Sequence, residues 1–145
     1  MRGLLIINPQ ALRKLVVAGV GETYLRGQFD RRFAIAEAIL EPDIDRITDP
    51  VAKGFRTFAA QPGKDRVALA ACMRGDRRAH SAAELARATR PVLIVCGEKD
   101  ETSGAPDPLA AAIANARAVT IPGRDHMSAV GDKITKDAVI SFLRG

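Results

Sequence analysis

The sequence is short of the residue types that mark several classes of protein. Only 4% of its 145 residues are aromatic, and it contains no tryptophan. A surface that binds single-stranded nucleic acid stacks the bases on aromatic side chains placed among basic ones. Here the 22 Lys and Arg residues are scattered, and no aromatic residues interleave with the densest basic runs, Arg31-Arg32 and Arg74 to Arg78. The net charge of +5 is therefore interpreted as solvated helix faces, and no nucleic-acid partner is predicted.

Cysteine and histidine are equally scarce. Cys72 and Cys96 are the only cysteines, there are two histidines, and there is no Cys-x-x-Cys pair. Because metal centres are built from clusters of such ligands, no metal site is predicted, and nothing in the sequence indicates a cofactor. Both cysteines are interpreted as small core residues of a protein in a reducing compartment.

Long hydrophobic runs are also missing. The apolar stretch in MRGLLIINPQ at residues 1–10 is too short for a signal peptide, and nothing approaches the roughly 18 apolar residues that cross a membrane. The sequence therefore predicts a cytoplasmic protein with no membrane segment. Its 47% hydrophobic and 27% charged residues are typical of one globular domain, residues 1–145.

Three shorter apolar runs predict the strands of a sheet. They are LVVAGV at 15–20, PVLIVCG at 91–97 and RAVTIPG at 117–123. The second run is hydrophobic without alternation, which is typical of a parallel strand that is covered on both faces. The predicted fold class is therefore α/β, with a short parallel sheet of about three strands and flanking helices.

Two helices are predicted in the last part of the chain. Asp107 suits the capping position and Pro108 the first turn of a helix between the second and third strands. A stripe of apolar residues predicts a closing helix; its members are Ile134, Ala138, Val139, Phe142 and Leu143. Residues 90–145 are thus predicted as strand, helix, strand and helix, and residues 9–21 as the segment that holds the first strand.

The middle segment, residues 22–89, has helical patterns only. Two stripes indicate helices: one contains Phe29, Phe33, Ala36 and Leu40, the other Val51, Phe55, Phe58 and Ala59. GKDRVALAACMRG, residues 63–75, suits a third short helix. Ser81 and Glu84 form a Ser-x-x-Glu capping box that opens a fourth. We predict four short helices, inserted as a lid over an edge of the sheet.

Two ionisable residues follow neighbouring strands at the end where parallel sheets collect function. Asp100 lies four residues after Cys96, and His126 lies five residues after Ile121. A hydrogen bond between them would fix the imidazole tautomer, and histidine exchanges protons near neutral pH. Taken singly, Asp100 is also explained as a turn or cap residue and His126 as a surface residue. Together they are our candidate catalytic acid and base.

Two longer stretches make the assignment more specific. RPVLIVCGEKD at 90–100 and IPGRDHMSAVGDKITKDAVISFL at 121–143 resemble the last two strands and closing helix of the α/β-hydrolase superfamily. In that family the catalytic residues follow the order Ser, Asp or Glu, His. The resemblance implies that Asp100 is the acid and His126 the base of a serine hydrolase, in the carboxy-terminal half of the fold. PQALRKLVVAGVG at 9–21 is similar to the family's segment after the nucleophile helix.

The sequence departs from that family at the nucleophile. No Gly-x-Ser-x-Gly is present; the resemblance places that motif about one helix before LLIINPQ. The family's His-Gly segment of the oxyanion hole is missing too. Ser81 is interpreted as a cap, Ser141 as a helix residue, and Ser128 is not expected to face the His126 ring. Ser103 is the one loop serine near Asp100, but nothing indicates a strained, exposed turn there.

Two hypotheses follow, and they differ in class. The chain is a hydrolase relative for an ester-like small molecule that keeps the Asp–His pair, lacks a nucleophile and is inactive alone. Alternatively, it is a non-catalytic domain that associates with itself. The apolar strand at 15–20 is predicted to be an exposed edge, which favours a homodimer through that edge or through the lid helices. Residues 3–8 folding back as a substitute strand, or a partner polypeptide that supplies the nucleophile, are the alternatives.

Overall fold

A computed structural model describes residues 9–27, 29–75 and 79–145. The described residues form two compact units: one drawn from Met1–Gly27 and Ala79–Gly145, the other from Gln28–Arg78. We call them the sheet unit and the helical unit. The helical unit is shorter than the predicted lid at 22–89, because the first and last helices of that segment belong to the sheet unit. The substitute strand considered at residues 3–8 lies outside the described residues.

The sheet unit is built on three parallel strands in the order β1-β2-β3. Leu15 of β1 lies opposite Val92 of β2, which in turn lies opposite Ala116 of β3. The elements are a 3-10 helix Pro9–Ala11, β1 Leu15–Ala18, α1 Glu22–Leu25, α5 Ala82–Ala86, β2 Val92–Gly97, α6 Asp107–Ala111, β3 Ala116–Ile121 and α7 Lys133–Arg144. The predicted α/β class and short parallel sheet are confirmed.

The central strand explains why the unit folds as it does. Every residue of β2 is buried, which a continuous apolar run permits because both of its faces are covered. On one face Leu93 and Val95 pack with Ile121 and Phe142. Strand β1 pairs with β2 and, within the described ranges, with no other strand. The first strand is therefore an edge of the described sheet.

Two details of the predicted helices are wrong. Asp107 is the first residue of α6 and makes no capping hydrogen bond, because Pro106 occupies the capping position. In α7 Phe142 is buried, whereas Ile134 and Leu143 are 47% and 53% exposed. A sheet of three strands offers a narrow face, so α7 buries a narrower stripe than its sequence provides.

The helical unit contains a 3-10 helix and three α-helices: α2 Arg31–Leu40, the 3-10 helix Ile44–Arg46, α3 Pro50–Ala59 and α4 Arg66–Arg74. Its core is made mainly of small residues: Ile35, Ala36, Ala38, Ile39, Ala52, Ala59 and Ala70. Phe33 is 57% exposed and Phe58 38% exposed, contrary to the predicted stripes. Alanines let the helices approach closely, and these two rings lie outside the core, where Lys64 covers the Phe58 ring at 4.1 Å.

The remaining predictions about the chain's interior have mixed outcomes. Cys96 is buried as predicted, but Cys72 is exposed, because the neighbouring Ala70 takes the core position on α4. The capping box is confirmed: Ser81 accepts from the Glu84 backbone, and the Glu84 side chain accepts from the Ser81 backbone.

In the parts of the chain described here, no helix combines the length and hydrophobicity of a membrane crossing.

Candidate active site

The loops after β2 and β3 hold the two candidate residues side by side. Glu98 N–H donates to the Ile121 carbonyl at 2.9 Å, and Lys99 N–H donates to the Arg124 carbonyl at 2.8 Å. Gly97, at the end of β2, makes this approach feasible, since a Cβ there would lie 2.2 Å from the Arg124 oxygen. The two loops are thus joined through their backbones before any side chain is considered.

Asp100 and His126 form the hydrogen bond that their sequence positions predict. His126 Nδ1 lies 2.9 Å from Asp100 Oδ2 and 3.1 Å from Oδ1. The Asp100 side chain is 1% exposed, whereas that of His126 is 26% exposed. The acid is therefore buried behind the imidazole, and the imidazole reaches the surface. This arrangement suits an acid that orients a base, while the catalytic role of both residues stays a prediction.

The environment keeps Asp100 ionised at neutral pH. Burial raises the pKa of this carboxyl, but hydrogen bonds from the His126 side chain and from the backbone and side chain of Ser103 outweigh it, and the pKa lies below the usual 3.8. A carboxylate that is fixed and charged favours a proton on the facing Nδ1 and stabilises the imidazolium. The proton exchanged with a substrate or nucleophile would then pass through Nε2.

Gly19 is a site residue that the sequence analysis missed. It follows β1 with φ +64°, and a Cβ there would lie 3.0 Å from His126 Cε1. Its N–H donates to the Val95 carbonyl at 2.9 Å, which extends the pairing of β1 with β2. The end of β1 therefore forms a surface against which the imidazole packs. The only sequence signal was a glycine directly after an apolar strand.

Ser103 lies beside the imidazole, a contact that the sequence analysis did not expect. Its Oγ is 3.1 Å from His126 Nδ1, and its N–H donates to Asp100 Oδ1 at 2.9 Å. The hydroxyl thus shares the nitrogen that faces Asp100, whereas a nucleophile would have to lie on Nε2. Ser103 is also only 2% exposed, so a substrate has no access to it. The structure places this serine on the acid's side of the ring.

Other residues with nucleophilic atoms are held elsewhere. Ser128, as expected, does not bind the ring: its hydroxyl donates to Asp125 Oδ1 at 2.6 Å. Burial raises the pKa of the Cys96 thiol to about 12, so this cysteine is protonated at neutral pH and is a poor nucleophile. Over the described ranges, no group of three or more His, Cys, Asp and Glu residues could hold a metal ion.

The described residues form a small cavity next to the pair. A cavity of about 10 Å³ adjoins Asp100 and His126, which corresponds to one water molecule at most. Its other lining residues are Ala18, Gly19, Val95, Ala129, Val130 and Thr135. This cavity cannot hold an organic substrate, so a substrate would have to contact His126 from the exposed side of its ring.

No protein-family model and no curated protein matches the sequence. Solved structures do match. A hydrolase from Pseudomonas aeruginosa PA01 is 28% identical with a TM-score of 0.66, and the match covers 99% of this chain and 60% of that one.

Two further structures are less similar in sequence. The enol-lactonase from Burkholderia xenovorans LB400 is 20% identical, with a TM-score of 0.60 and coverage of 99% of this chain and 60% of that one. An esterase from Exiguobacterium antarcticum is 16% identical, with a TM-score of 0.62 and coverage of 92% and 57%. At these identities the likeness concerns the fold. The chain spans about 60% of the length of the solved structures that it matches.

Proposed function

We propose that this chain supplies the acid and the base of a serine-hydrolase centre. Its resemblance to the α/β-hydrolase superfamily is confirmed, and its fold is a partial α/β-hydrolase fold. The substrate class is a small molecule with an ester-like bond. The observation that supports this proposal most directly is the 2.9 Å hydrogen bond between Asp100 Oδ2 and His126 Nδ1. It joins a buried, ionised carboxylate to an imidazole that reaches the surface.

The two residues would act as follows. His126 Nε2 removes the proton of a serine hydroxyl while that oxygen attacks the carbonyl carbon, and Asp100 stabilises the imidazolium that results. The same proton then passes from Nε2 to the leaving alkoxide, which departs as an alcohol. A water molecule repeats the two steps on the acyl-serine, so that the acid is released and the serine is regenerated. In this scheme neither Asp100 nor His126 is consumed.

We infer that the attacking serine and the substrate pocket come from polypeptide beyond this sequence, either a longer chain or a partner. Three observations support that inference: the sequence has no Gly-x-Ser-x-Gly, the cavity at His126 measures only about 10 Å³, and β1 is an edge of the described sheet. Alone, the chain is then inactive, because a triad without its nucleophile loses several orders of magnitude in rate. Cys72 and Cys96, both unbridged, suit the cytoplasmic location that the sequence predicts.

The test uses a fluorophosphonate that labels reactive serines, together with a nitrophenyl ester. The chain alone is expected to give neither labelling nor turnover. Coding DNA read upstream of residue 1 is expected to add an in-frame Gly-x-Ser-x-Gly, and the longer protein is expected to label and to turn over. In that protein His126→Ala should lower turnover by roughly a thousandfold or more. His80→Ala, at the chain's other histidine, is the matched control and should not.

Two results would contradict the proposal. One is turnover by the longer protein that is unchanged in His126→Ala. The other is labelling of the present chain at a serine whose reactivity does not depend on His126. If no frame upstream encodes the motif, a co-purifying polypeptide that bears it is required, and its absence from the active fraction would also exclude this mechanism.

A second candidate function is self-association without catalysis, and the edge strand is the observation that favours it. The N–H groups of Leu15 and Gly19 point toward β2, so the alternation of a strand directs the N–H groups of Val16 and Ala18 outward. Such an edge, which no other described strand covers, can pair with a second copy of the chain. We infer a homodimer through β1.

The mass in solution tests this candidate. Val16→Pro removes one outward N–H and is expected to convert the dimer to a monomer. Val67→Lys changes an exposed residue of the helical unit and is the control for an interface through the lid helices, so it should leave the dimer intact. A wild-type monomer at all concentrations, or a dimer broken by Val67→Lys alone, would exclude the β1 interface.

A further inference from the structure

Ser103 occupies a position that the hydrolytic scheme does not use. Its backbone N–H donates to Asp100 Oδ1 at 2.9 Å, and its Oγ lies 3.1 Å from His126 Nδ1. The Ser103 side chain also helps to lower the pKa of Asp100. The residue is 2% exposed. A hydroxyl that is buried between the acid and the base cannot attack a substrate, but it can determine how the acid and the base face each other.

The backbone of Ser103 is held from the opposite side by the start of α1. Thr23 N–H donates to the Ser103 carbonyl at 3.1 Å, and Thr23 Oγ1 donates to the same oxygen at 2.9 Å. Glu22 N–H donates to the Ala105 carbonyl at 2.9 Å. At Gly21 a Cβ would lie 2.5 Å from the Gly104 and Ala105 carbonyl oxygens, so only glycine allows this approach. The segment after β1 thus fixes the loop that follows Asp100.

The contacts of Asp100 and Ser103 at His126 Nδ1 determine where the hydrogen-bonding protons lie. With Asp100 ionised, the proton of the neutral imidazole lies on Nδ1, where Asp100 and the Ser103 oxygen can both accept it. The Ser103 O–H is then directed to the carboxylate, since Nδ1 has no lone pair to offer. The serine would thereby favour the tautomer that leaves a lone pair on Nε2, which is the form that a general base needs.

We propose that Ser103 is a positioning residue, which holds the Asp100 carboxylate against His126 Nδ1 and favours the Nδ1–H tautomer of the imidazole. This proposal rests on the proposed hydrolytic function and concerns the same pair of residues. It explains how His126 is kept in the tautomer that a general base needs. It does not require a substrate or a nucleophile, because the arrangement is complete within the sheet unit. The alternative is that Ser103 only fills space and supplies a backbone N–H, which any residue there would do.

The experiment is an NMR titration of the present chain, in which the Asp100 carboxyl carbon and both ring nitrogens of His126 are followed against pH. Ser103→Ala keeps the backbone N–H and removes the hydroxyl. We expect the proton affinity of Asp100 to rise about tenfold, the change that one hydrogen bond to a charged group commonly causes. The population of the Nδ1–H tautomer should fall. Ser103→Thr restores the hydroxyl and should restore both readouts.

Ser128→Ala is the matched control, since that hydroxyl lies two residues from His126 but binds Asp125. Its Asp100 titration should match that of the wild type. Thr23→Val removes the hydroxyl that donates to the Ser103 and Thr102 carbonyls, and it should shift both readouts in the same direction as Ser103→Ala, by less. This variant keeps the test decisive if the extra methyl of Ser103→Thr prevents folding.

Two outcomes would overturn the proposal: a Ser103→Ala titration and tautomer population identical to those of Ser128→Ala, or a folded Ser103→Thr that behaves as Ser103→Ala does. Both are readings of the isolated chain without substrate. A failure of the hydrolytic proposal appears instead as turnover that is independent of His126, so the two failures are distinguishable.

Discussion

The sheet unit and the helical unit bury polar side chains for different purposes. In the helical unit the buried Arg56 donates to the carbonyls of Glu41 and Pro42 at 2.8 and 3.3 Å, and Arg66 donates to those of Ile39 and Glu41 at 2.7 and 2.8 Å. These guanidinium groups satisfy the carbonyls that the end of α2 leaves without helical partners. Two nitrogens of each guanidinium group are used to complete the end of this helix.

In the sheet unit two of the buried polar residues meet a titratable ring on the neighbouring loop. Asp100 and Ser103, 4% and 2% exposed, meet His126, whose imidazole remains partly exposed. One region therefore uses its buried charge to close a helix end, and the other uses it to prepare an imidazole. The comparison indicates that a buried charge is a candidate for chemistry when its partner is a titratable group that reaches the surface.

The two units also differ in where their large apolar side chains lie, and one substitution in each exposes the difference. Ile94→Ala removes a fully buried side chain from β2 and is expected to cost about 2–5 kcal/mol. Phe58→Ala in the helical unit should cost less than about 1 kcal/mol, because the ring is 38% exposed. Amide hydrogen exchange, followed separately for each unit, measures both effects. Equal losses of protection would contradict this account of the cores.

Glycine substitutions should have opposite signs in the two units. Gly97→Ala places a Cβ 2.2 Å from the Arg124 carbonyl oxygen and should destabilise the sheet unit by roughly 1–3 kcal/mol, because backbone would have to move. Gly54→Ala, in α3 with nothing within 4 Å of the added carbon, should stabilise by about 1 kcal/mol. The midpoints of thermal unfolding test the pair. Two changes of the same sign would contradict the packing described for one of these glycines.

The sequence predicted the elements whose signals are local. The continuous apolar run at 91–97 predicted a buried central strand, and strand ends that meet in a parallel sheet brought Asp100 and His126 together. Periodicity could not say which apolar residues a small partner surface would leave exposed. Phe33 and Cys72 are on the surface because nearby alanines occupy the core positions.

The residues that sequence reasoning missed at the site depend on contacts between distant segments. Gly19 matters because His126, more than 100 positions later, lies over it. In the sequence, Ser103 could be weighed only as a nucleophile, a role against which the lack of a strained turn argues. That criterion gives no information on a positioning role. Its value becomes visible only when the loops after β2 and β3 are seen to be joined at their backbones. Such contacts have no periodic signature in a single sequence.

The smallest expected difference concerns acid sensitivity. Hydrogen bonds lower the pKa of Asp100 in the sheet unit and of Asp49 in the helical unit, where the Ala52 backbone N–H is the largest cause. A carboxyl whose pKa is lower when folded stabilises the protein above its ordinary pKa of 3.8, and this stabilisation is lost as the pH falls through the folded value. Both residues therefore contribute to unfolding in acid.

Asp100→Asn should accordingly reduce the decline in stability below about pH 4, and Asp49→Asn should reduce it less. Asp49 is exposed and solvent screens its ion pair with Arg31, whereas Asp100 is buried against His126 and Ser103. Urea unfolding at several pH values measures the slopes. An acid slope in Asp100→Asn equal to that of the wild type would mean that the carboxylate is not held in its ionised form by these neighbours, and the fixed charge on which the tautomer of His126 depends would be absent.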